Sequence, residues 1–169
     1  MKGNAIIRKM IESDIQHLSQ GFINQGWPGR EENLTRYFKE QESGEREVLV
    51  AEVEGAVAGY ITILPDAKQG PFAGMGPELS DFNVFEPFQN QGIGNLLMEE
   101  AEKRVKLVSD KVTLGVGLHS GYGPAQRLYI KRGYIPDGTG VWYRNQPLEM
   151  NATSQNNDDL VLYLSKEFE

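Results

Sequence analysis

The feature that most constrains this chain is a strand, a glycine-bearing turn and a long amphipathic helix in immediate succession. Residues 79–85 (LSDFNVF) read as a strand. Residues 92–108 place Ile93, Leu96, Leu97, Ala101, Val105 and Val108 on one helical face, with Glu99, Glu100, Glu102, Lys103 and Lys106 mostly outside. Between them runs Gln89-Asn90-Gln91-Gly92-Ile93-Gly94. A strand that feeds directly into such a helix needs a sheet to cover the helix's apolar side, so the chain is committed to a layered α/β architecture. The helix's first turn leaves backbone N–H groups unpaired at the positive end of its dipole, and Gly92 and Gly94 let an anion approach without a Cβ in the way. A pyrophosphate suits such a turn, although a purely structural turn has the same spacing. It is not a Walker A loop, since no Gly-Lys-Ser/Thr follows, and Leu97 stands where the dinucleotide fingerprint has its third glycine.

The rest of the chain supplies the sheet. Residues 5–9 alternate as a strand; Glu12, Ser13 and Asp14 then open a helix over 15–22. After the break at 25–29, Leu34, Tyr37, Phe38 and Gln41 follow helical spacing until Gly44. Residues 47–53 and 56–64 form a hairpin joined at Glu54-Gly55, and the Gly/Pro-rich residues 65–77 form a loop. Downstream come a strand at 112–118, a helix at 124–131, and strand candidates at 141–144 and 160–165 on either side of a polar loop. The order β-α-α-β-β-β-α-β-α-β-β, with no repeat or linker, reads as one mixed α/β domain over residues 1–169.

Charge and composition narrow the function. With 17 Lys and Arg against 24 Asp and Glu, the net charge of −7 argues against a nucleic-acid partner and either favours a cationic substrate or simply keeps the protein soluble. No cysteine is present, which excludes a disulfide framework, a thiolate zinc site and a cysteine nucleophile, and points to the cytoplasm. His17 and His119 are the only histidines and form no His-x-x-x-His pattern, so no metal is expected. The opening MKGNAIIRKMIESD lacks the apolar core of a leader, and no apolar run is long enough to span a bilayer. A homodimer is compatible with the sequence and not demanded by it.

Gln-x-x-Gly-x-Gly following Phe82-Asn83-Val84 resembles the acetyl-CoA-binding motif of the GNAT superfamily of N-acetyltransferases. A second segment, Ala125-Gln126-Arg127-Leu128-Tyr129-Ile130-Lys131-Arg132-Gly133-Tyr134, resembles that family's Ala-x-x-Leu-Tyr-x-x-x-Gly-Phe stretch, with Tyr134 in the phenylalanine position. The resemblance implies a central, mostly antiparallel sheet flanked by helices, with one splayed parallel pair of strands, 79–85 and 112–118. It also implies that acetyl-CoA is the acyl donor. Its pantetheine arm would meet the backbone of Phe82, Asn83 and Val84, and its phosphates the amides of Gln89, Asn90, Gln91, Gly92, Ile93 and Gly94. Tyr122 departs from the pattern, standing where many relatives carry a cofactor-contacting asparagine.

Transfer to a primary amine requires the neutral amine, and a lysine-like amine of pKa about 10.4 must first lose a proton. Asp81 is the first candidate to receive it, directly or through water, and His119 the second; a structural carboxylate and a capping histidine are the competing readings. The family's tyrosine acid maps onto Tyr129, which could equally be an aromatic anchor. Protonating a thiolate of pKa about 8.5 from a phenol near 10 is uphill by only roughly 2 kcal/mol. Trp27, Phe72, Met75, Trp142 and Tyr143 are candidates for the acceptor pocket or for core packing. Arg127, Lys131 and Arg132 form a basic cluster that either meets an adenosine 3′-phosphate or lines an exposed helix. The acceptor, a small-molecule or peptide amine, is left open. So is a second reading, a non-catalytic acyl-CoA-binding or sensor module.

Overall fold

A computed structural model describes residues 4–169; residues 1–3, the head of the stretch read above for a leader, lie outside the described residues. The chain divides into two units, each discontinuous in sequence. One holds the residues up to Leu64 together with Leu79–Arg104, and the other holds Pro65–Glu78 and Val105–Glu169.

In the first unit β1 (Ala5–Lys9), β2 (Glu47–Val53), β3 (Ala56–Leu64) and β4 (Glu78–Val84) lie side by side in that order. The helices are α1 (Asp14–Asn24), α2 (Glu31–Ser43) and α3 (Ile93–Lys106). Strands β1, β2 and β3 are antiparallel, with Ile7 opposite Ala51 and Val50 opposite Tyr60. The β2–β3 turn is tight because Glu54 and Gly55 both take left-handed backbone, φ 49° and 85°, the combination that matches strand twist. Asp14, expected among the residues that open α1, is its first residue and also a buried carboxylate. It accepts from the Ile11 N–H at 2.8 Å and from both terminal nitrogens of Arg8 at 2.8 and 2.9 Å, so it ties β1 to α1.

Alternation along β2 and β3 divides the core. Val48, Val50 and Tyr60 face α1 and α2, where Ile15, Leu18, Phe22, Leu34 and Tyr37 close over them together with Phe85. Leu18 is fully buried, so Leu18→Ala should cost about 3 kcal/mol of stability, read as a lower urea midpoint at unchanged slope. Leu49, Ala51 and Ile61 take the opposite face, also fully buried. Glu47, which shares that face with Leu49, is ion-paired to Arg104 of α3.

The buried stripe of α3 is Ile93, Leu97, Met98, Ala101 and Val105. Two residues read from sequence as part of it are not: Leu96 is 39% exposed and Val108, beyond the helix end, 80%. At 100° per residue, Leu96 lies roughly 135° from the middle of the stripe. Glu102, expected mostly outside, is buried at the stripe's edge.

In the second unit β5 (Lys111–Gly117), β8 (Leu160–Glu167), β6 (Ile135–Tyr143) and the two-residue β7 (Gln146–Pro147) lie in that spatial order, with α4 (Gly123–Lys131) following β5 in sequence. Leu114 of β5 and Val141 of β6 pair with Leu164 and Leu162 of β8. Strand β6 starts six residues earlier than the 141–144 expectation, because Pro136, Gly138 and Gly140 hide a strand whose register shifts between Pro136 and Val141. The 65–77 loop closes on itself through Ala67 N–H to Gly76 O at 2.8 Å and Gly74 N–H to Ala67 O at 2.9 Å. It plugs Ala67 and Phe72 against Tyr163, with Trp142 packed alongside. Among the described residues, no helix is long and apolar enough to cross a membrane.

Candidate functional site

The turn before α3 is built by side chains that brace it from within. Strand β4 ends at Val84, a single 3₁₀ turn covers Glu86–Phe88, and α3 begins at Ile93, which is buried. Gln89 Nε2 donates to the Val84 carbonyl at 2.9 Å, and Gln91 Nε2 to the Pro87 carbonyl at 3.1 Å. Both glutamine side chains are thus engaged within the turn. Asn90 and Gly92 are left-handed, φ 62° and 82°, an alternation that turns successive N–H groups toward one concavity. With the amides at the start of α3, this geometry fits a pyrophosphate. A groove of about 500 Å³ is walled by His17, Gln20 and Asn24 of α1 and by Phe85 to Phe88, and none of Gln89 to Gly94 lines it.

The second constellation centres on Asp81, in the middle of β4. The residue has φ 48°, a left-handed conformation inside an otherwise continuous strand. Its carboxylate accepts from Arg30 Nη1 at 3.3 Å and Nη2 at 2.8 Å, from the hydroxyls of Tyr37 and Tyr60 at 2.8 and 2.9 Å, and from Asn83 Nδ2 at 2.8 Å. Arg30 also donates to the Tyr60 hydroxyl at 2.7 Å. Next along the strand, the Ser80 carbonyl accepts from Thr62 Oγ1 at 2.8 Å, and Thr62 accepts in turn from the buried Arg46 at 2.7 Å. Arg46 lies over the Tyr37 ring at 4.2 Å and pairs with Glu40 at 3.1 Å.

Electrostatics keep the two tyrosines of this cluster protonated. Burial, then the charge of Asp81, push the Tyr60 hydroxyl well above its ordinary pKa, and the same two causes raise Tyr37, so both stay donors. Burial works against the charge on Arg30, but its hydrogen bonds to Asp81 and the charge of that carboxylate outweigh this and raise its pKa.

The sequence-derived candidates therefore fall in two places. In the first unit, Asp81 and Asn83 are in direct contact, Val84 is linked to Gln89, and Phe82, Asn83 and Val84 are half-buried on β4. Tyr129 lies in the second unit on α4, 7% exposed, with its ring 5.9 Å from that of Tyr134. His119 has both ring nitrogens engaged: Nδ1 accepts from the Gly121 N–H at 3.0 Å and Nε2 meets Asp158 at 2.8 Å, which makes it the cap of a short 3₁₀ turn. Of the pocket aromatics, Phe72 and Trp142 are committed to packing around Tyr163, and Trp142 Nε1 donates to Thr139 at 2.9 Å. Trp27 and Met75 are exposed, 62% and 61%.

Arg30, Tyr37, Tyr60, Thr62 and Arg46 were not singled out from the sequence as site residues. Alternation does mark Tyr60 and Thr62 as facing one side of β3, but nothing local to Arg30 announces a partner 51 residues away.

A model of the Acetyltransferase (GNAT) domain matches residues 13–145. No curated protein matches the chain in sequence. Among solved structures, a ribosomal-protein-alanine N-acetyltransferase from Brucella melitensis is similar with a TM-score of 0.69 and 23% identity, over 96% of this chain and 99% of that one. A PaiA N-acetyltransferase from Thermoplasma acidophilum, in complex with coenzyme A, gives 0.68 and 18%, over 98% and 99%. YncA from Salmonella typhimurium, solved with its cofactor acetyl-CoA, gives 0.69 and 16%, over 98% and 94%. At these identities the likeness speaks for the fold: a mixed α/β sheet flanked by helices, as the sequence implied.

Proposed function

The chain belongs to the GNAT acetyltransferase family, and from that premise we propose that it transfers the acetyl group of acetyl-CoA to a primary amine by direct attack within a ternary complex. The observation that carries the reading is the turn from Gln89 to Gly94, whose left-handed Asn90 and Gly92 open onto the start of α3. That two of the similar structures hold acetyl-CoA or coenzyme A supports the choice of donor.

In this reading the amides of Gln89, Asn90, Gln91, Gly92, Ile93 and Gly94 hold the phosphates, and the backbone of Phe82, Asn83 and Val84 guides the pantetheine arm. The thioester supplies an activated acetyl group. A backbone N–H near Val84 faces the carbonyl oxygen as negative charge develops there. Asp81 receives the proton that the amine must shed, directly or through a water. Since Arg30, Tyr37, Tyr60 and Asn83 already donate to that carboxylate, its protonation displaces one of these hydrogen bonds. As the C–S bond breaks, the hydroxyl of Tyr129 returns a proton to the coenzyme A thiolate, so the products are the amide and the free thiol.

The acceptor is a small-molecule or peptide amine. The net charge of −7 favours a cationic one, and a cytoplasmic setting agrees with a chain that carries no cysteine.

Thermal unfolding with and without millimolar acetyl-CoA tests the donor assignment. At a hundredfold excess over Kd, a ligand of the folded state adds about 2.7 kcal/mol, which for a chain of this length raises Tm by roughly 5–10 °C. No shift, matched by silent calorimetry, overturns the proposal. Release of free thiol from acetyl-CoA with spermidine or a lysine peptide then tests transfer. Tight binding with no turnover across such amines would favour the sensor reading. With an accepted amine, Tyr129→Phe should lower turnover about a hundredfold while leaving acetyl-CoA affinity within about twofold. Equal turnover would remove Tyr129 from the mechanism.

A further inference from the structure

Strand β4 carries a costly backbone conformation where the proposed function needs it most. Asp81 is left-handed at the fourth of the seven residues of β4, and Arg30, its ion-pair partner, is left-handed as well, φ 59°. An L-residue holds such a conformation only where its surroundings over-determine it. Here they do so from several directions. Tyr37 reaches Asp81 from α2, Tyr60 from β3, Arg30 from the connection between α1 and α2, and Thr62 of β3 holds the carbonyl of Ser80. Only Arg30 contributes two nitrogens to the carboxylate and a further hydrogen bond to Tyr60, so it fixes the orientation of the carboxylate as well as its position.

On the main-chain side, β3 approaches closely. A Cβ at Gly59 would lie 2.2 Å from the Asn83 carbonyl oxygen and 2.9 Å from the Val84 Cα. Residues 80–84 are therefore held by side chains at the bend and by backbone contact just beyond it. A left-handed residue inside a strand rotates the peptide groups that follow it out of the regular ladder. The backbone direction of Phe82, Asn83 and Val84 thus depends on whether the bend at Asp81 is kept.

We propose that Arg30 is a positioning residue for acetyl transfer: its bidentate grip on Asp81 maintains the left-handed bend in β4 and so aims the backbone of Phe82 to Val84 at the acyl donor. The inference rests on β4 being the donor's strand and adds a residue that touches neither donor nor acceptor. It also couples the α1–α2 connection, with the exposed Trp27 beside it, to the geometry of the donor strand.

The test compares Arg30→Met and Arg30→Lys with wild type in three measurements: Tm, calorimetric Kd for acetyl-CoA, and amide hydrogen exchange at Phe82, Asn83 and Val84. Arg30→Met should raise Kd about tenfold and accelerate exchange at those amides at least tenfold. Exchange in β1 and β2 should be unchanged. Arg30→Lys should behave like Arg30→Met, because an ammonium is a point charge and lacks the planar two-nitrogen fork that orients the Asp81 carboxylate. Methylguanidinium at about 10 mM should restore Kd in Arg30→Met, whereas methylammonium should not; a residue that only stabilises the fold would show no such selectivity.

Unchanged Kd and exchange in Arg30→Met overturn the proposal, as does a loss that methylguanidinium leaves in place. If Arg30→Met does not fold, Tyr37→Phe, which removes one donor to the same carboxylate, carries the test with an expected threefold effect; no change there overturns the proposal equally. If wild type fails to bind acetyl-CoA, the proposed function falls while exchange at residues 82–84 still decides whether Arg30 holds the bend.

Discussion

Gly59→Ala lowers Tm by about 10 °C and weakens acetyl-CoA binding at least tenfold, the largest effect expected from adding a single methyl group to this chain. The added Cβ would sit 2.2 Å from the Asn83 carbonyl oxygen and 3.2 Å from its carbonyl carbon. These are main-chain atoms, which cannot rotate aside as a flexible side chain would, so the strands must part. Overpacking of this kind costs about 3 kcal/mol, and for a chain of this length each kcal/mol moves Tm by roughly 2–4 °C. The damage should be local. Phe85 N–H donates to the Ala58 carbonyl at 2.9 Å, and that bond is strained first, along with the contacts around Asp81. Thermal unfolding and calorimetry on the purified variant check both numbers. A Tm within about 2 °C of wild type would show that β3 and β4 yield more easily than backbone this close should.

Gly92→Asp is expected to separate binding from folding. The position is left-handed, φ 82°, a conformation that Asp tolerates better than most residues, and a carboxylate beside the first turn of α3 favours the helix. The variant should therefore fold with Tm within about 3 °C of wild type. The same carboxylate stands where the phosphates of the donor would lie. Two such charges about 4 Å apart at an effective dielectric near 20 repel by about 4 kcal/mol. Allowing for movement apart and screening, acetyl-CoA affinity should fall at least a hundredfold. Calorimetry gives the affinity and thermal unfolding without ligand gives the fold. Unchanged affinity in the folded variant would remove the Gln89 to Gly94 turn as the anion site.

Much of the framework was legible in advance because it is written in short-range pattern. The bounds of β1, β2 and β3 agree with the alternation of their side chains, and Gly44 ends α2 in left-handed backbone as a helix-stopping glycine does. Strand β6 was half-missed for the same reason: Pro136, Gly138 and Gly140 are breaking signals locally, and only pairing with β8 overrides them. The helix face of α3 was read nearly correctly, the error at Leu96 arising because an apolar residue off the stripe looks, in sequence, like one on it.

Asp81 shows where such reading stops. Its strand and its candidacy came from the residues around it and from family resemblance, but its partners Arg30, Tyr37 and Tyr60 lie 51, 44 and 21 positions away. No periodicity links those positions. The same holds for Phe72, open in sequence between pocket and core and found plugging a satellite core, and for His119, open between base and cap and found capping a turn.

By itself, the sequence determined the order of elements, the α/β class, the turn that opens α3 and the family, because helix and strand periods, turn chemistry and short motifs are properties of neighbouring residues. The tertiary structure alone decided that Asp81 is bent into a left-handed conformation and gripped by Arg30, and that Gly59 must lack a side chain. Those facts depend on which distant segments are brought within hydrogen-bond or van der Waals reach, and closure of the chain, not its local pattern, sets those distances.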